Sequence, residues 1–139
     1  EDVVNKTLEI FNGTMKIEPP IAIEEIDRIH RIGTTGGGDR DKRPRSIIVK
    51  FASYRSRKRV MDSRSALKST SPLSDAIFLN EDLTRQRDKL LYDFRCLKRH
   101  GNITDVWTHD GTVVIKDLNK RIRSAKTLPE IEKLLRSCS

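Results

Sequence analysis

The sequence predicts an α+β protein of two lobes, residues 1–80 and 81–139, and three observations lead there. Apolar residues recur at helical spacing near both ends of the chain: Val3, Val4, Thr7, Leu8, Ile10 and Phe11, then Leu128, Ile131, Leu134 and Leu135. A β-branched run, Ser46-Ile-Ile-Val-Lys-Phe-Ala52, stands between them. Further on, His109-Asp-Gly111 separates two apolar stretches, and Asp-Gly is a strong two-residue hairpin signal.

In chain order, a helix is expected from Asp2 to Thr14, with Asn12-Gly13 as its stop. Pro19-Pro20 breaks the chain, and Ile21 to Glu25 has room for one short turn. Ile26 to Ile32 reads as a strand of impure alternation, and Gly33 to Pro44 as a charged, glycine-rich loop. In the strand Ser46 to Ala52, Ile47, Val49 and Phe51 share one face, and Ile48 and Lys50 the other. Tyr54 to Lys68 is a basic helix whose apolar side is Tyr54, Val60, Met61 and Leu67. Ala76 to Leu79 is expected to be another short strand. Helix, strand, strand, helix, strand is the order of a split βαβ, ferredoxin-like unit without its first strand. The helical pattern begins at the first residues, so that strand is expected to be lacking.

The second lobe is expected to be αββα. Leu83, Leu90, Leu91, Phe94 and Leu97 form one stripe of a helix from Leu83 to Arg99, capped by Asn80 or Asp82 and ended by Gly101. Thr104 to Thr108 and Thr112 to Lys116 flank the hairpin turn. Thr127-Leu-Pro-Glu130 is a capping box with proline early in the helix that follows.

Composition narrows the function. Lys and Arg number 28 against 20 acidic residues, a net charge of +8, which suits a polyanionic partner through counterion release. No run reaches the roughly 18 apolar residues of a membrane span, and no basic segment precedes an apolar one at the start, so neither membrane nor secretory signal is expected. Cys96 and Cys138 lack partners at metal-ligand spacing and read as free thiols of a cytoplasmic or nuclear protein. Gly33-Thr-Thr-Gly-Gly-Gly38 lacks the Gly-Lys-Ser/Thr ending of a phosphate loop. His30, His100 and His109 have no metal spacing, and no nucleophile motif is present. No enzyme, metal or cofactor is therefore expected.

Four segments then acquire a joint meaning: Ile26-Asp-Arg-Ile-His-Arg-Ile-Gly33, Lys42-Arg-Pro-Arg-Ser-Ile-Ile-Val-Lys-Phe51, Ile77-Phe-Leu-Asn-Glu-Asp-Leu-Thr84 and Val106-Trp-Thr-His-Asp-Gly-Thr-Val-Val-Ile-Lys116. Together, over nearly the whole chain, they resemble the RNA-binding region of the first open-reading-frame protein of long-interspersed-element retrotransposons. They look equally like the related C-terminal region of the baculovirus few-polyhedra protein. The resemblance implies an RNA-recognition-motif-like (RRM-like) domain followed by a small C-terminal domain, jointly holding single-stranded nucleic acid as a chaperone within a ribonucleoprotein. It implies trimers built on an upstream coiled coil, which the chain does not contain. It also implies binding roles for Arg31, Arg45 and either Arg85 or Arg87.

The residues expected to contact nucleic acid are Arg28, Arg31, Arg43, Arg45, Lys50, Arg85 and Arg87. Arg28 and Arg31 flank His30, while Lys42, Arg43 and Arg45 open the next strand, so neighbouring strands would gather these cations along one sheet edge. Arginine suits the task because its planar fork pairs with phosphate and stacks on bases. Trp107 reads first as core and second as a base-stacking residue. The expected partner is single-stranded RNA, with single-stranded DNA as a variant and self-association through an unpaired sheet edge as a further expectation. The rival expectation is a protein-interaction module on the same scaffold.

Overall fold

A computed structural model describes residues 2–33, 45–69 and 77–139. It is α+β, with four α-helices, a two-stranded and a three-stranded antiparallel sheet among the described residues, and it divides into two units, Glu1–Asn80 and Glu81–Ser139.

In the first unit, α1 (Val3–Glu9) is capped by Asp2, whose carboxylate accepts the Asn5 N–H at 3.0 Å, and it widens into a π-helical turn, Ile10–Thr14. Asn12 stops this element by bonding across the chain. Its Oδ1 accepts the Ile21 N–H at 2.7 Å, and its Nδ2 donates to the Ile21 carbonyl at 2.9 Å. That bracket folds Met15, Ile17 and Ile21 inward beside Phe11, and all four are almost fully buried.

A 3₁₀ turn, Ile23–Glu25, leads into β1 (Ile26–Arg31), which pairs antiparallel with β2 (Ile47–Phe51). Val49 and Phe51 pack on the core with Ile26; the Phe51 and Phe11 rings lie 6.0 Å apart. α2 (Tyr54–Asp62) brings Val60 to the same core, and a 3₁₀ segment, Arg64–Ser69, brings Leu67.

Three expectations fail in this unit. The single helix expected from Tyr54 to Lys68 ends at Asp62, capped by Ser63, and a separate 3₁₀ segment follows. Tyr54 is 55% exposed because Val60 is six residues away, about 240° around the helix, and is core-facing together with Ser56. The short strand expected at Ala76 to Leu79 is not formed over its described residues: Ile77–Asn80 has no regular structure. Leu79 packs on the core while Phe78 is 79% exposed, so this stretch contributes one anchor rather than a strand.

In the second unit, α3 (Arg85–Arg99), β3 (Asp105–His109), β4 (Thr112–Lys116), β5 (Ile122–Ala125) and α4 (Leu128–Cys138) follow one another. The unit is thus αβββα rather than αββα. β5 escapes the sequence patterns because Ile122-Arg-Ser-Ala125 is short and has no apolar alternation; its pairing with β4 forms it. The helix cap is Thr84, whose Oγ1 accepts the Arg87 N–H at 3.4 Å, rather than Asn80 or Asp82.

Strand order is β3-β4-β5, all antiparallel. Asp110 and Gly111 both have positive φ, 50° and 80°, which closes the β3–β4 hairpin as a two-residue primed turn. One sheet face carries Val106, Thr108, Val113, Ile115 and Ala125. It packs with Leu90, Phe94 and Leu97 of α3 and Ile131 and Leu134 of α4 into a second core, in which Phe94, Val113, Ile115 and Ile131 are all 0% exposed.

Candidate nucleic-acid interface

β1 and β2 place three of the expected cations. Side chains alternate along a strand, so Val49 and Phe51 facing the core puts Lys50 on the opposite face. Arg28 is its direct cross-strand partner. Two like charges directly opposed disfavour the pairing. Asp27 offsets this in part: it occupies an irregularity between Ile26 and Arg28 and approaches Lys50 Nζ at 3.3 Å. Arg28 itself has no ion pair among the described residues. His30, opposite Ile48, follows on the same face, and Arg28, His30 and Lys50 are all exposed.

At the open end of this hairpin Arg31 and Arg45 come together. Arg31 Nη1 donates to the Arg45 carbonyl at 2.5 Å, and Arg45 Nη1 donates to the Gly33 carbonyl at 3.2 Å. The two arginines therefore tie the end of β1 to the start of β2; Arg31, paired with Ile47, is in phase with Ile29 and Val49, so its position belongs to the face opposite Arg28 and Lys50. Arg43 lies outside the described residues.

The remaining two candidates are on α3. Arg85, its first residue, is exposed. Arg87 is engaged inside its own unit: its Nη1 donates to the Gly111 carbonyl at 2.8 Å and the Lys126 carbonyl at 2.7 Å. It ties the hairpin turn to the start of α4. Cations in a helix's first turn oppose the helix dipole, and for Arg87 these two carbonyls compensate.

A second charged cluster has no counterpart among the sequence candidates. Glu25 accepts from the Ala22 N–H at 2.7 Å, the Ser56 hydroxyl at 2.8 Å and Arg59 Nη2 at 3.0 Å. Arg59 also donates to the carbonyls of Pro19 (3.1 Å) and Pro20 (3.3 Å). Led by the Arg59 hydrogen bond, these donors lower the Glu25 carboxyl to about 2. Arg59 thus belongs to the scaffold, although in the sequence it is one of a row of surface cations. The long spacing between Pro19-Pro20, Glu25 and Arg59 leaves no local signal for it.

Trp107 does not belong to either core. It is half-buried on the sheet face opposite Val106 and Thr108, paired with Val114. Cys96 and Cys138 are free thiols. Among the described residues no group of three His, Cys, Asp or Glu side chains is placed to hold a metal ion, and no helix is long and apolar enough to cross a membrane. Compared with protein-family models and with curated proteins, the chain matches none.

Proposed function

We propose that this protein binds single-stranded RNA through its phosphate backbone, with little sequence preference, in the manner of a chaperone module of a retrotransposon-type ribonucleoprotein. The observation that carries the reading is Arg28 set directly opposite Lys50 on an exposed sheet face. A folded sheet gains nothing from that opposition, and a phosphate between the two cations turns the repulsion into attraction. Arg31 and Arg45 add charge at the end of the strand pair, where both are bonded to backbone carbonyls. Among the described residues the face carries no Phe, Tyr or Trp, so it offers charge rather than base readout. Arg85 adds exposed charge in the second unit, and Arg87 serves the turn.

β1 and β2 form a sheet of only two strands among the described residues, so each offers an edge to which a second copy can add a strand. Sedimentation at high protein concentration tests this, and a clean monomer mass contradicts it.

The test of binding is fluorescence anisotropy with labelled single-stranded RNA, single-stranded DNA and duplex. Tight, salt-sensitive binding of single strands, weakened about tenfold or more by Arg28→Ala/Lys50→Ala, is the expected result. Equally weak binding of all three ligands, indifferent to those substitutions, returns the protein-interaction reading.

A further inference from the structure

The second sheet turns one face to α3 and α4, and its other face is built differently. On that face β3 contributes Asp105, Trp107 and His109; β4 contributes Thr112, Val114 and Lys116; β5 contributes Ile122 and Ser124. Trp107, Val114 and Ser124 make its middle row. Asp105, Lys116 and Ile122 make the next, about 7 Å further along the strands. Ile122 is 59% exposed, and Leu118, in the turn after β4, is 64% exposed.

The charges at this end of the face are unequal in their commitments. The Asp105 carboxylate is taken by Lys98 at 2.8 Å. Asp117 Oδ1 accepts the N–H groups of Asn119 and Arg121, each at 2.9 Å, which closes the β4–β5 turn. Lys116, Lys120 and Arg121 have no ion pair among the described residues. The Asp105 carboxylate is therefore engaged inside the unit, and Lys116, on the same face as Trp107, is left for an outside anion.

We infer that this face is a base-stacking subsite for single-stranded nucleic acid, with Trp107 as the platform and Lys116, one row along the same face, receiving the adjoining phosphate. The inference rests on the single-strand reading above and supplies what the first unit's cationic face lacks, a surface for the bases. An indole flanked by Val114, with small Ser124 beyond it in the same row, can take the π-face of any base and leaves its edges unread. A row spacing of about 7 Å is close to the reach of one nucleotide, so a base over Trp107 brings its phosphate to the Lys116 row. Stacking of this kind keeps binding tolerant of sequence, as the proposed function requires.

Trp107 is the only tryptophan in the chain, so its emission needs no assignment. The experiment titrates the protein with oligouridine, recording intrinsic emission with unlabelled strand and anisotropy with labelled strand. Saturable quenching over the same concentrations as the anisotropy change is expected. Trp107→Leu should weaken binding about tenfold with an unchanged salt slope, because stacking releases no counterions, and Trp107→Phe should stay within about threefold of wild type. Circular dichroism establishes that both variants fold, and the wild-type quenching stands as the test should either fail to. Binding by anisotropy without an emission change, or with Trp107→Leu as tight as wild type, overturns the subsite and leaves the single-strand reading intact. No anisotropy change at all overturns both. A protein-docking face would likewise leave the emission unmoved by oligouridine.

Discussion

Each unit packs helices on one face of an antiparallel sheet, and the two units differ in what holds that packing together. In the second unit, three strands and two helices enclose Phe94, Val113, Ile115 and Ile131, all at zero exposure. Among its described residues the first unit has two strands, and its core is closed by irregular chain from Met15 to Ile21. That chain is pinned by polar ties, Asn12 to Ile21 and Arg59 to Pro19 and Pro20, with Glu25 joining Arg59 to Ser56. The other sheet faces differ as well, cations on β1–β2 against Trp107 and Val114 on β3–β4–β5. The smaller sheet leans on side-chain hydrogen bonds for its shape, and those of the Glu25 carboxylate respond to pH; the larger one leans on apolar burial, which does not.

The largest expected effect sharpens the apolar half of this contrast. Phe94→Ala should lower unfolding free energy by about 3–5 kcal/mol in urea titrations, through lost burial and the cavity left behind. A change under about 1 kcal/mol would mean that the second unit is not held by its core.

The polar half is tested by Glu25→Gln, expected to lose about 2–3 kcal/mol near neutral pH. The side chain is about a quarter exposed, so the lower figure is favoured over the full value of the shift. The carboxyl is held at about 2, below its ordinary 4.5, so the folded state favours the charged form. Its stabilisation is therefore complete above about pH 4.5 and fades as pH falls toward 2. Urea midpoints of wild type and variant should converge across that window, and a gap that persists at pH 2 would break the assignment.

Smaller effects separate support from binding. Arg87→Ala removes two hydrogen bonds to carbonyls and should cost about 1–2 kcal/mol, with RNA affinity of the folded variant within about twofold of wild type. A collapse of affinity at unchanged stability would move Arg87 into the binding surface. Thr127→Ala, which breaks the capping box with Glu130, should cost about 1 kcal/mol in thermal melts.

Local signals were legible where the physics is local. The α+β class, the Asp110-Gly111 turn, the Thr127 capping box and the Leu90, Phe94 and Ile131 stripes follow from spacings of a few residues. The miss at β5 has the opposite cause, since only its partner β4 makes Ile122-Arg-Ser-Ala125 a strand. The Ile77–Asn80 stretch shows the same dependence in reverse, apolar residues without a strand to join. At the candidate interface the sequence brought out the cations without their partners. That Arg28 faces Lys50 is a matter of register. That Arg59 and Arg87 are tied to backbone carbonyls depends on chain segments 24 to 40 residues away. Trp107 falls outside the core because Val106 and Thr108 take the inward positions, a choice between two phases of one alternation.

The most direct test of the central claim is the salt dependence of single-stranded RNA binding for wild type and Arg28→Ala/Lys50→Ala. Each phosphate contact to a single strand contributes about 0.7 to the slope of log affinity against log salt, so losing two should reduce its magnitude by about 1.4. That reduction, with the fold intact, is what the opposed cations require. An unchanged slope would contradict it and reduce the Arg28–Lys50 pair to surface charge.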